Sequence, residues 1–356
     1  MIPGAEQQLN FLQHLQRLFD EGEFVATYKY ALLMALAELS VESEHSEGQL
    51  VLPMTVIAEK FAELYWPQTL PYTSGVTGTI PEVLNQNQGK QTAVINTLLK
   101  LRLDGATTLN QAKKLAGWSK AIRTIARTIS EMPAKYLQNV GGVQIPFLYQ
   151  YPHPPGNLIL HHGVASMLRT FHPLIHQLSR AGWVAHIRKN KLNTEIIGQV
   201  DELEAFMFGT PRTSLAQVTE LLRKIQSNKC FYCGSSLANQ ADVDHFVPWV
   251  KYPRDLAHNF VLAHMQCNRQ KSDMLAAERH LGNWLERNLR YDEDLKSELS
   301  NFLADVDCSN RVTYWAYKQG VTIGSHGWLN GRTTEPLGHD CLKLIETFVD
   351  GRPRFK

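Results

Sequence analysis

The chain has 356 residues, 44% hydrophobic and 20% charged, a balance that excludes intrinsic disorder, collagen-like repetition and a disulfide-stapled miniprotein. With 36 basic and 34 acidic residues the net charge is +2, so any surface that attracts polyanions must be local. Five cysteines are too few for a disulfide framework in so long a chain, which points to a reducing cytoplasm. The opening residues Met1 to Glu6 lack the basic-then-apolar run of a signal peptide. The most apolar stretch, Phe24 to Leu39, carries Thr27, Lys29 and Glu38. It falls short of the ~20 apolar residues that span a bilayer, so it reads as a buried helix of a soluble protein.

The first 150 residues read as a helical domain. Leu9, Leu12, Leu15, Leu18 and Phe19 recur at helical steps, as do Val56, Ile57, Phe61, Leu64 and Tyr65, the latter run framed by Pro53 and Pro67. Past the polar turn Asn85 to Gly89, helices are expected over Gln91–Leu101 and Asn110–Ile129, the second halting at Pro133. Gly141 to Tyr149 looks extended, and Pro152, Pro154, Pro155 and Gly156 form a stiff turn. A helical connecting region covers 151–227, with periodicity through Met167, Leu168, Leu174, Leu178 and Val184 and a helix capped by Thr213-Ser214 that reaches about Ser227. Residues 228–273 form a separate small module. In 274–356, helices over Leu275–Arg290 and Leu295–Val306 are expected to pack behind it.

The informative chemistry lies in that module. Cys230-x-x-Cys233 is answered by His264-x-x-Cys267. Two residues between ligands let a tight turn aim both at one point, so the two pairs can clasp a tetrahedral cation. Thiolates with an imidazole favour Zn2+ over Mg2+ or Ca2+. Overlapping this clamp are Asp244-His245, Asn259 and Asn268. Val243, His245 and Val247 alternate, Phe260 and Leu262 do likewise, and Cys267 opens a helix, giving two short strands and a helix.

On these residues the region resembles an HNH endonuclease module, the ββα-metal nuclease fold. Asp244-His245 matches the first element, Asn259 the central asparagine and Asn268, nine positions on, the third; Cys267-Asn268 followed by Lys271 matches the zinc-bearing branch. That branch usually has cysteine where this chain has His264, and imidazole substitutes chemically. The runs Asp244 to Trp249 and His258 to His264 are also similar to stand-alone bacterial HNH proteins with a long helical N-terminal extension. The resemblance implies a mainly α protein carrying a small zinc-stapled ββα nuclease module. It implies that Asp244 and Asn268 hold a catalytic Mg2+ or Mn2+ at the scissile phosphate, that Lys271 meets a phosphate, and that the substrate is double-stranded DNA, in restriction or anti-phage defence. His245 suits the general base, since imidazole is neutral and proton-accepting near pH 7, and Asn259 is expected to brace the loop and orient it. An ideal strand points Asp244 away from His245, so a kink is needed for both to serve one phosphate. His258 and His280 read as bystanders.

Two other readings stay open: a non-catalytic zinc module that binds nucleic acid or a partner protein, and an RNA endonuclease. From Lys100 to Lys135, eight cations face only Asp104 and Glu131. Lys120, Arg123 and Arg127 fall on one helix face, suited to backbone phosphates or simply to solvent. Arg188, Lys189 and Lys191 end a helix, where cations complement its dipole. A protein partner or homo-oligomer is left open.

Overall fold

The computed structural model describes residues 3–43, 49–73, 81–198, 202–209 and 212–349. Contacts divide the chain into two units, Met1–Gly209 and Thr210–Lys356. Helices dominate both, and no described helix is long and apolar enough to cross a membrane.

In the first unit, α1 (Ala5–Glu21), α2 (Tyr28–Glu42) and α3 (Met54–Tyr65) follow the runs of apolar residues, with β1 (Val51–Pro53) leading into α3. The helix α4 (Ala93–Leu103) comes next. The single helix expected over Asn110–Ile129 is two. These are α5 (Leu109–Lys114), capped reciprocally by Thr108 and Gln111, and α6 (Trp118–Glu131). Leu115 is extended and Gly117, a poor helix former, sits at the N-cap of α6, so the apolar period continues while the backbone does not. α6 stops at Glu131, just ahead of Pro133 as expected, and Pro133 then opens a separate short α7 (Pro133–Tyr136), where its missing N–H costs nothing.

The extended stretch is a minimal hairpin, β2 (Asn139–Val140) with β3 (Val143–Gln144). Its turn is Gly141-Gly142 at φ +58° and +79°, the left-handed region that such turns require. Strand β4 (Asn157–Ile159) returns to pair antiparallel with β1. The next periodic run is also split, into α8 (Val164–Thr170) and α9 (His172–Lys189), because Pro173 cannot lie inside one continuous helix. Short α10 (Thr194–Ile197) and α11 (Leu203–Phe208) follow. At the centre, α2 is buried from Tyr28 to Val41 and packs against α3, α8 and α9. Its buried Glu38 faces His176 Nε2 at 3.1 Å, as buried charge must be met.

The second unit opens with α12 (Arg212–Ile225); the capping expected of Thr213 and Ser214 lies outside the described side chains. Then come β5 (Asp242–His245), β6 (Phe260–Ala263) and α13 (Met265–Lys271), the ββα order expected. The strands are antiparallel, with Asp244 opposite Val261 and His245 opposite Phe260. Behind them lie α14 (Glu278–Arg290), α15 (Asp292–Glu298), α16 (Val306–Thr322), the hairpin β7 (His326–Asn330) with β8 (Thr333–Pro336), and α17 (His339–Val349). The helix expected over Leu295–Val306 is absent as such. Leu299 ends α15, and the Asp305 carboxylate caps α16 by accepting from the Cys308 N–H at 2.9 Å. Buried Phe246, stacked on Trp284 at 5.1 Å, anchors the loop after β5 in this core.

Candidate functional site

The clamp closes as its spacing implies. One donor atom each of Cys230, Cys233, His264 and Cys267 lies within 4.8 Å of all the others. The first pair sits on a turn in which the Gly234 N–H donates to the Cys230 carbonyl at 2.9 Å, with Gly234 left-handed at φ +72°. The Phe231 N–H donates to Leu262 at 3.0 Å, fastening the turn to β6. His264 is the N-cap of α13; its Nδ1 lies 3.3 Å from Cys233 Sγ, and its Nε2 lies 3.1 Å from the Ser236 carbonyl. An imidazole whose far nitrogen is held by a carbonyl has its tautomer and direction fixed for ligation. Local surroundings shift the Cys233 and Cys267 thiols in opposite directions. Burial, reinforced by Cys230 and Cys233, pushes the Cys267 thiol up to about 12. Cys233 is brought down to about 7, where burial is outweighed by hydrogen bonds from Ser235 and the neighbouring donors. Three thiols and one oriented imidazole form a donor set that fits a structural zinc ion.

Strand alternation places Asp242 and Asp244 on one face of β5, toward α13, whose Asn268 and Lys271 are one helical turn apart. Two rungs join them. Asn268 Nδ2 donates to Asp242 Oδ2 at 3.0 Å, and Lys271 Nζ pairs with Asp244 Oδ2 at 3.0 Å. The Tyr232 hydroxyl donates to the same Asp244 oxygen at 2.5 Å. Asn268 is therefore bonded to Asp242, a residue that sequence reasoning passed over although it stands two places before Asp244 on an alternating strand.

Lys271, expected from the resemblance to meet a phosphate, is fully buried, and its ammonium is shared between Asp244 and the His245 carbonyl, the latter at 2.9 Å. Burial lowers its pKa while Asp244 opposes that shift. Removing one member of such a buried pair costs about 3–5 kcal/mol, because the other charge is left unmet. Its place is thus inside the ββα unit, tying helix to strand on either side of the Asp244-His245 peptide.

His245 ends β5, its Nε2 lying 2.8 Å from Asp255 Oδ1. Its ring contacts Trp249 and Phe260, with centroids at 5.1 and 5.0 Å. Asn259 is buried and spends both amide atoms on Val247, accepting from its N–H at 2.8 Å and donating to its carbonyl at 2.9 Å. The Phe246 N–H adds a bond to the Asn259 carbonyl at 2.8 Å. This asparagine therefore pins the two residues that follow His245.

Further support comes from side chains that carry no motif signal. Gln226, just past α12, bonds both the N–H and the carbonyl of Leu262, at 2.9 and 2.8 Å, like an added strand residue. Buried Arg287 on α14 donates to the carbonyls of His258 and Phe260 at 2.7 and 2.6 Å, on either side of Asn259. His258 and His280 are buried, with Nε2 atoms on Asp292 and on the Leu329 carbonyl. In the other unit, Lys120, Arg123 and Arg127 are exposed on α6, while Ala121, Ile122, Ile125, Ala126 and Ile129 bury its opposite face.

Two family models match. One, described as HNH endonuclease, covers residues 230–274, and the other, described as a domain of unknown function, DUF8808, covers residues 8–205. No curated protein and no solved structure matches the chain.

Proposed function

The chain belongs to the family defined by the domain of unknown function DUF8808 and carries an HNH endonuclease domain besides; from that premise we propose that it is a divalent-cation-dependent endonuclease that hydrolyses phosphodiester bonds in double-stranded DNA. The observation that carries this reading is the pair of rungs between β5 and α13. They tie Asp242 to Asn268 and Asp244 to Lys271 along a strand that finishes in His245, beside a Cys3His clamp that includes Cys267 of the same helix.

In this reading His245 removes the proton from the attacking water, and Asn259 holds the loop that follows the base. Asp244 and Asn268 would hold Mg2+ or Mn2+, with Asp242 orienting the Asn268 amide, and a cation bound there would supply positive charge to the phosphate. The exposed cations of α6 bind backbone phosphates without reading sequence. Restriction or anti-phage defence in a bacterial cytoplasm is the setting that the resemblance suggests.

Purified protein with Mg2+ or Mn2+ is expected to nick supercoiled plasmid, and His245→Ala protein with the same zinc content is expected not to. Equal cleavage by the substituted protein would remove His245 as the base. Bound zinc without cleavage under any divalent cation, together with retained DNA binding, would replace the nuclease with a non-catalytic binding module. Cutting of RNA alone would change the substrate.

A further inference from the structure

We propose that Asp255 is a positioning residue for the base: its carboxylate fixes His245 as the Nε2–H tautomer and so leaves Nδ1 as the atom that receives the proton. This inference rests on the nuclease reading of the same site. Asp255 belongs to neither the zinc clamp nor the Asp-His-Asn-Asn set, and its sequence context, between Arg254 and Leu256, carries no signal.

An ionised carboxylate only accepts, so the 2.8 Å contact between Asp255 Oδ1 and His245 Nε2 requires the proton on Nε2. Neutral imidazole has a single N–H, and Nδ1 is then a bare lone pair. Both side chains are shielded but reachable, 20% and 17% exposed. The segment presenting the carboxylate is braced at both ends. The Arg254 N–H donates to the Tyr252 carbonyl at 2.8 Å, the Ala257 N–H to Leu303 at 2.9 Å, and the Asn259 N–H to Leu256 at 2.9 Å. Trp249 and Phe260 restrict the ring itself. A carboxylate on so fixed a segment sets the ring's direction as well as its tautomer.

The step balances. Water loses a proton to Nδ1, its oxygen forms the new bond to phosphorus, and the bond from phosphorus to the bridging oxygen breaks. The departing oxygen takes a proton from solvent. Imidazolium forms with Nε2–H still on Asp255, whose negative charge offsets the new positive one, and it later returns its extra proton to solvent.

The test uses full-length, zinc-loaded protein. With saturating plasmid, Asp255→Ala is expected to lower kcat about 100-fold, within the range for mispositioned general bases, while KM stays within about 2-fold of wild type. Added formate should recover part of the loss in Asp255→Ala and none in His245→Ala. Asp255→Asn, of the same size, guards against misfolding and should fall between. Nitrogen-15 NMR of labelled histidine gives a readout independent of cleavage, with the His245 signals assigned by their loss in His245→Ala. They should show the Nε2–H tautomer in wild type and a mixture in Asp255→Ala. Wild-type kcat in both Asp255 variants, or an Nδ1–H tautomer in wild type, overturns the proposal. Wild type inactive with every cation sinks the nuclease reading instead, and the tautomer spectra still decide the role of Asp255.

Discussion

His258 shows what a single buried side chain contributes beside a site that does not use it. Burial brings its pKa down to about 4, and Asp292, 2.9 Å from Nε2, opposes the shift without reversing it. An unfolded chain protonates the same ring near pH 6.5. Between those values the unfolded state binds the proton and the folded state does not, so stability falls as pH drops from about 6.5 to 4. At pH 5 the loss is about 2 kcal/mol. Urea unfolding of the nuclease unit should show that much more acid sensitivity in wild type than in His258→Gln; equal sensitivity would mean that His258 is protonated in the fold. Residue chemistry was only partly legible in the sequence. Asp244, His245, Asn259 and Asn268 declare themselves by type and spacing. Asp242, Asp255, Tyr232 and Arg287 do not, because each acts through partners that only the fold brings near. Lys271 was legible as a cation but not as a buried one, since burial depends on how α13 lies on β5.

At the scale of elements, the ββα unit is too slight to stand on its strands. A two-stranded sheet of four-residue strands is marginal alone. The Cys3His clamp joins the Cys230 turn, the end of β6 and the start of α13, so metal binding and folding of these pieces are one equilibrium. Cys233→Ala, or zinc removal by a strong chelator, is expected to abolish cleavage and open the 228–273 segment to protease. Far-UV circular dichroism should fall only modestly, since most helices lie elsewhere. Full cleavage with zinc absent would contradict this. The helices were legible where one apolar face runs unbroken, as in α1, α3 and α4. They were misread where the period outlasts the backbone, at Gly117 and ahead of Pro173. Leu295, Leu299 and Phe302 kept helical spacing although the chain leaves the helix at Leu299, because burial selects apolar residues in turns as well. The β7–β8 hairpin went unseen because Thr333 to Pro336 are all exposed and carry no apolar alternation.

For the molecule as a whole, a net charge of +2 cannot draw a polyanion from a distance. Under the proposed function, DNA contacts would come from places where cations outnumber acids, and the exposed face of α6 is one such place. Its three exposed cations are carried by the unit without the nuclease motif, so affinity and chemistry should separate on substitution. With His245→Ala as an uncut background, anisotropy of labelled duplex DNA across a salt series gives the number of phosphates neutralised. Replacing Lys120, Arg123 and Arg127 together with alanine should reduce the log–log slope by about 3, near one per lost contact, and weaken binding equally for unrelated sequences. In the His245 protein the same triple substitution should raise KM and leave kcat at saturating DNA unchanged, because none of the three lies in the ββα module. An unaltered slope would make the α6 face an ordinary solvated surface, and the phosphate contacts would then have to come from the nuclease unit itself, where Arg269 on α13 is exposed and Lys271 is not.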